Sequence, residues 1–594
     1  MQAVHLENLP DELLEYILFN RVLEAQDILS FGCTCKRFQS ISYSNEIWKR
    51  TLLRRWPELG QISDSLDASK HNWQELYKFR FRCIRNVEIL LQDLVNECYE
   101  QREVSYKRFT PFQQLAAEYE ADVGNVCVEE QLLDVLNEGD SFQNLTQKYY
   151  AVRALRYLQH PRLEKDFLKF LDAPEDQQSL EDGAIVIAQW NQSGTRVNKK
   201  EIYERLDQLA ERVRLQVCIR YGDEHPASQG SVDEPLSVDQ STFVLDVLNT
   251  IFYEVENFEG NKDDYYNPNN SFIDKVLETK QGIPISLAVI YSAVARRLGI
   301  TLDPVNFPNH FILRLDVQPM QKNNANKYKY IDVFHSGQRL SNVECYSLSP
   351  MMNTFGIGSE YFRACSTRAV YVRMVANLMR LTSHLDDVRM LDGYELFLLL
   401  CSDDEDAAIT LRRFYLQSGM NVQEVLDYLR QCHPTTNNML TLKKYMIREA
   451  HTLLEEEENP NKVITVKRRA DHQEVEYSVG MIMRHRRYDY MCVIYGWDPL
   501  CEMSENWKSQ MGVDRLPNKD RQPFYNVLVA DQSKRYAAQE SLMIEANPQV
   551  ITHSEVGKHF VEFKGNYYLA NEEVIKRYPD DMHVTTRMAL QNRN

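Results

Sequence analysis

The sequence predicts a multidomain protein, mainly α with α+β parts, whose last domain is a small β-barrel. Three observations carry this prediction. The chain has 594 residues, too many for one hydrophobic core and enough for roughly three to five domains. Apolar residues recur at helical spacing from residue 5 to about 220 and again from 360 to 460, with strand-like alternation in FILRLDV and YKYIDVF between them. Beyond residue 470 the pattern changes to short strands punctuated by Gly480, Gly496, Pro499 and Pro523.

Residues 1–60 read as one small helical unit. Pro10, Asp11 and Glu12 suit the first turn of a helix, where a missing N–H costs nothing and negative charge meets the positive dipole end. Leu13, Leu14, Ile17 and Leu18 continue it as an apolar stripe, a second short helix starts near Asp27, and Phe38, Ile47 and Trp48 supply bulky anchors. A three-helix unit of this size cannot bury all its own apolar surface. Some of Leu9, Pro10, Leu13, Leu14, Ile17 and Leu18 are therefore expected to be left for a partner. The spacing Leu9-Pro10, Glu12-Leu13-Leu14, Ile17-Leu18, Asp27-Ile28, Cys35, Phe38, Trp48 closely resembles an F-box. The resemblance implies that these six residues dock a Skp-family adaptor, with only a subset touching it, and so recruit a cullin and a RING subunit.

Residues 61–175 are expected to be a helical linker region, with YYAVRALRYLQ its clearest periodic segment. In 176–345 the reading is α+β. EIYERLDQLAERVRLQV and FVLDVLNTIFYEV are helices, GDEHPASQGSVDEPLSVDQ (222–240) is a solvated acidic loop, and IPISLAVIYSAVARRLG is a buried helix. Residues 346–460 form a TPR-like helical satellite, in which Met374, Leu378 and Leu381 sit at i, i+4, i+7, and EEEENPN (455–461) reads as a hinge. EDGAIVIAQW, FEGNKDDYYNPNNSF, GIPISLAVIYSAVARRLG, NFPNHFILR and YIDVF recur in that order in the SirB family, a branch of the transglutaminase-like fold, which the segment resembles. That resemblance implies a Cys at the start of the helix, a His on one strand and an Asp on the next. Counting back from Gly299, the Cys position falls on Pro284, with His310 and Asp332 as the other two members. Proline has no nucleophile, and Ser286 is turned about 200° away around an α-helix. Losing the nucleophile of a triad costs on the order of a million-fold in turnover. No catalytic residue is therefore expected: His310 and Asp332 would survive as a structural pair or as part of a pocket. The sequence has no HExxH, GxSxG or phosphate-binding glycine loop, and neither a cofactor nor a metal is implied.

Residues 463–575, followed by a tail at 576–594, resemble the YccV/HspQ family, usually called the hemimethylated-DNA-binding domain. SVGMIMRHRRYDYMCVIYGWDP, QPFYNVLVAD, RYAAQESL and VGKHFVEFKGNYYLAN carry the match, with Asp489 where the family often has Gly. Between 475 and 545, nine Lys and Arg stand against ten Asp and Glu, which is no basic footprint for a duplex. Bacterial members also act as protein-binding adaptors in proteolysis, so protein recognition is the expectation. Arg484, Arg486 and Arg487 form a local basic cluster, and Tyr490, Tyr495, Trp497, Asp498, Phe524 and Tyr525 are the candidate surface for a substrate or for DNA.

A net charge of −18 repels phosphate and argues against nucleic acid being gripped by the chain as a whole. The 12 scattered cysteines fit a reducing compartment, and no secretory signal or bilayer-spanning stretch is evident. The expected location is cytoplasm, nucleus or both, and KRR at 467–469 is too short to decide. The expectation is a non-catalytic substrate-recognition subunit of an SCF-type cullin–RING E3 ubiquitin ligase, positioning protein substrates. Two alternatives remain: a DNA-binding protein acting through the last domain, and a transglutaminase- or protease-like enzyme drawing a thiol such as Cys345 or Cys365 to His310.

Overall fold

Helices α1 (Asp11–Leu18), α2 (Ala25–Gly32), α3 (Lys36–Ser42) and α4 (Asn45–Arg55) open the chain, each too short to be stable alone and each held by one buried face. A computed structural model describes residues 5–60, 72–99, 101–137, 144–222, 225–228, 236–317, 328–348, 359–382, 388–432, 437–458 and 465–591. Parts of the acidic loop at 222–240 and of the hinge at 455–461 lie outside the described residues. The chain divides into two compact units, residues 1–158 with 418–594, and residues 159–417.

In the first unit Leu14, Leu18, Ile28, Phe38, Ile47, Trp48 and Leu52 share a core with Trp73, Leu76 and Phe79 of the long helix α5 (Trp73–Cys98). Further along, Arg153 on α6 (Leu145–Leu171) reaches Glu103, Nη2 to Oε2, at 2.8 Å. Burial alone would raise the Glu103 carboxyl, but the Arg153 charge and hydrogen bonds hold it below the usual range.

The second unit is built around helices α7 (Leu180–Asn191), α8 (Lys199–Tyr221) and α9 (Pro284–Arg297). Helix α9 is buried almost throughout, which explains why its sequence is apolar all round rather than striped. Strands β1 (Asp303–Val305), β2 (Ile312–Asp316), β3 (Tyr328–Asp332) and β4 (Gln338–Leu340) form an antiparallel meander in that order. Helices α10 (Thr367–Thr382), α11 (Val388–Leu400) and α12 (Glu405–Ser418) follow, with Met374 and Leu378 buried in the same core as α9. The helix expected over FVLDVLNTIFYEV ends at Asn249 and continues as a π-turn over Thr250–Val255.

The expected small barrel takes the form of a five-stranded antiparallel sheet: β5 (Ile482–His485), β6 (Met491–Asp498), β7 (Phe524–Val529), β8 (Lys534–Ala538) and β9 (Leu542–Ile544), in the order β8-β7-β6-β5-β9. Its register shifts between Ile494 and Gly496, which bends β6. Gly480 has φ +89°, and a Cβ there would stand 2.3 Å from the Tyr568 carbonyl oxygen, so only glycine fits. Asp489, where glycine is common in similar domains, has φ +56°. Asp tolerates this left-handed conformation, so the β5–β6 turn keeps a glycine-like backbone without glycine.

Candidate functional site

Three places carry the residues singled out above. The first is the outer face of α1. Residues 14 and 18 turn inward at i, i+4, with Leu14 1% and Leu18 3% exposed. Leu13, Tyr16 and Ile17, at i, i+3, i+4, stay outside at 49%, 74% and 40%. Leu9 is half-buried against the core and Pro10 is exposed. The predicted docking set is thus divided, with Leu14 and Leu18 spent on the unit's own core. The start of α1 is clamped by Arg37, whose Nε donates to Asp11 Oδ1 at 2.8 Å and whose Nη1 donates to the Glu7 carbonyl at 2.7 Å. Tyr16 and Arg37 were not evident as site residues. Tyr16 lies three positions from Leu13 on the same face, a signal the stripe already contained, whereas nothing in the local sequence aims Arg37 at α1.

The second place is the truncated triad. Pro284 is the first residue of α9, where its absent N–H is harmless. Ser286 is 2% exposed, its Oγ accepting from the Ile283 N–H at 3.1 Å and its single proton shared between the Asn270 carbonyl at 2.5 Å and the Ile283 carbonyl at 3.0 Å. Its hydroxyl is committed to capping. The pairing of β2 with β3 (Leu313 opposite Ile331) brings His310 and Asp332 together, and His310 Nε2–H donates to Asp332 Oδ1 at 2.9 Å. A third member, His335, donates from Nδ1 to Asp332 Oδ2 at 2.8 Å, and the backbone N–H groups of Phe334 and His335 reach Oδ1 at 3.1 and 3.3 Å. Burial would raise the Asp332 carboxyl, but the hydrogen bonds and charge of His310 and His335 outweigh it and hold the group below its ordinary value. His335 was missed because it lies outside the strand pattern, on the turn that Asp332 caps. His310, Asp332 and His335 could hold a cation, since one ligand atom of each lies within 4.8 Å of the others. In this arrangement, though, both Asp332 oxygens are already accepting hydrogen bonds.

Neither Cys345 nor Cys365 hydrogen-bonds His310 among the described residues. Burial, aided by the nearby Asp332 charge, pushes the Cys345 thiol up to about 12, and burial pushes Cys365 up to about 11. Both environments disfavour the thiolate a nucleophile needs.

The third place is the C-terminal sheet, where the structure corrects the expected recognition surface. Trp497 and Tyr525 are wholly buried, with Trp497 Nε1 donating to Asp581 Oδ2 at 2.9 Å and Tyr525 Oη to Gln539 Oε1 at 2.6 Å. Phe524 is buried and stacks on Tyr536. Asp498 is buried too, accepting from Tyr536 Oη at 2.7 Å and from Lys467. Tyr490 is half-buried under the Arg535 guanidinium, and Tyr495 stacks on His559. Trp497, Phe524 and Tyr525 are buried on both faces of their strands, so these three cannot serve as exposed anchors. The basic cluster is also divided. Arg484 bonds Glu545 Oε2 at 2.5 Å and Asp489 Oδ1 at 2.9 Å, Arg486 donates to the Leu542 carbonyl at 3.0 Å, and Arg487 lies over the Tyr488 ring. No helix among the described residues is long and apolar enough to cross a membrane.

Comparison with known proteins matches all three places. Residues 6–54 match an F-box-like family, 200–376 the Transglutaminase-like superfamily, and 475–567 the family described as Hemimethylated DNA-binding protein YccV like. The chain is 34% identical to F-box only protein 21 of Pongo abelii and of Homo sapiens, in each case across 97% of this chain and 92% of the relative. It is 30% identical to a UPF0162 protein of Xylella fastidiosa over 34% of this chain and 72% of that relative. No solved structure matches it.

Proposed function

The chain belongs to the family of F-box only protein 21, and from that premise we propose that it is the substrate-recognition subunit of an SCF-type cullin–RING E3 ubiquitin ligase. The observation that carries this reading is the outer face of α1, where Leu13, Tyr16 and Ile17 stand in solvent while Leu14 and Leu18 hold the fold. Contiguous exposed apolar side chains on a small unit mark an interaction surface, and in an F-box the surface accepts a Skp-family adaptor. The adaptor links the chain to the cullin and the RING subunit, so the transfer chemistry is theirs and this chain positions the protein substrate. The transglutaminase-like unit works as a non-catalytic binding body. Pro284 at the helix start, the committed Ser286 hydroxyl, and two thiols held protonated by burial support this.

Affinity capture comparing wild type with Leu13→Asp/Ile17→Asp tests the docking. The adaptor and cullin should vanish from the variant's partners while its circular dichroism and its candidate substrates persist. Undiminished adaptor capture would overturn the proposal. A thiol-directed electrophile tests the pseudoenzyme reading: His310-dependent labelling of Cys345 or Cys365 in the folded protein would sink it.

A further inference from the structure

Within residues 159–417, away from the sites above, a histidine and two carboxylates converge. His160 stands on α6, while Asp392 and Glu395, three residues apart on α11, share one helix face. One ligand atom from each of the three lies within 4.8 Å of the other two. The His160 ring stacks on Trp190 of α7 at 3.9 Å between centroids, and its Nε2 lies 3.0 Å from the Trp190 carbonyl oxygen. A carbonyl only accepts, so Nε2 carries the hydrogen and the ring orientation is set. Nδ1 is buried without a hydrogen-bond partner, in a side chain belonging to a residue only 7% exposed. It lies 3.6 Å from Glu395 Oε2, while Asp392 Oδ1 lies 4.0 Å from Nε2 on the other side of the ring. The other oxygen of Glu395 accepts from Tyr415 Oη at 2.6 Å.

We infer that His160, Asp392 and Glu395 form a binding site for a divalent transition cation, with zinc the best match. A buried imidazole nitrogen set against a carboxylate oxygen is stable only with a proton or a cation between them, and at 3.6 Å with no hydrogen bond made the pair leaves room for a cation. Donors around a tetrahedral zinc, bonded at about 2.1 Å, stand about 3.4 Å apart, close to the separation of Nδ1 and Oε2. The surrounding bonds are of the type that orient metal ligands: the remaining ring N–H on a carbonyl, and a hydroxyl on the outer carboxylate oxygen. One imidazole and two carboxylates offer mixed nitrogen and oxygen ligation, which suits zinc, manganese or iron better than copper(I). The ion would tie α6 to α11, with α7 holding the imidazole in place.

The test uses the full-length protein, stripped with a chelator, desalted and titrated with Co²⁺ and then Zn²⁺ while visible absorption and melting are followed. The expected result is one Co²⁺ bound per chain, its displacement by Zn²⁺, and a higher Tm with metal than without. Glu395→Gln, which keeps an acceptor for Tyr415, and Asp392→Asn should each weaken Co²⁺ binding at least about tenfold. His335→Ala, in the other histidine–carboxylate cluster, should leave it unchanged. The inference is overturned if the stripped protein takes up no stoichiometric ion and melts alike with and without metal. It is equally overturned if uptake survives Glu395→Gln and Asp392→Asn but is lost in His335→Ala.

Discussion

At the scale of single residues, Asp332 holds its turn together. Asp332 is wholly buried and accepts four hydrogen bonds, two of them from backbone N–H groups of the turn it caps. Asp332→Ala should therefore destabilise the chain by about 2–4 kcal/mol, measured by urea denaturation. The carboxyl is held below its ordinary 3.8, so its stabilisation is fully present above that value and is lost as pH falls through the lower folded value. Asp332→Asn should cost less at neutral pH and remove that acid-side loss. His559 acts in the same direction, at a higher pH. Burial, with Lys558 and Lys534 nearby, pushes its imidazole well below 6.5, and Tyr99 Oη lies 3.0 Å from its Nδ1. Below pH 6.5 the unfolded chain takes up a proton that the folded chain refuses, so stability should fall there by up to about 1.4 kcal/mol per pH unit. Denaturation midpoints between pH 5 and 8 should show that slope flattened in His559→Gln.

At the scale of elements, α1 keeps its folding contacts on one face and leaves apolar side chains in solvent on the other. Leu14→Ala opens a cavity in a core shared with Trp48 and should cost about 2–5 kcal/mol, whereas Leu13→Ala should stay within about 0.5 kcal/mol, both read from thermal melts. Equal losses would mean the two faces are not distinct. The stripe itself was legible, because i, i+4 spacing is a local property of a helix. Which of its residues face inward was not, since the core shared with α3 and later helices decides that. In the C-terminal sheet the same limit reversed an expectation. Trp497, Phe524 and Tyr525 sit on strands whose two faces are both largely covered, so alternation could not distinguish an exposed aromatic from a core one.

At the scale of the whole molecule, charge and connectivity decide what the C-terminal sheet can do. The chain carries −18, and Arg484 is already paired with Glu545 and Asp489. Hemimethylated duplex should therefore show no electrophoretic shift at physiological salt, and a shift abolished by Arg486→Glu/Arg487→Glu would reinstate DNA binding. Sequence-distant segments also support each other in the first unit, where Thr146 Oγ1 donates to the Phe560 carbonyl at 3.0 Å and Tyr99 meets His559. A protein lacking residues 465–594 should lose amide protection over 101–137 and 144–150 in hydrogen exchange while keeping it over 11–55. Element types, the F-box spacing, the proline in the nucleophile's position and the acidic balance were all determined by the sequence alone, because each depends on neighbours within a few residues or on a simple sum. The inward half of the α1 stripe, the burial of the sheet aromatics and the meeting of His160 with Asp392 and Glu395 were decided only by tertiary structure. Those depend on contacts across tens to hundreds of residues, and local periodicity carries no record of which distant face will cover a side chain.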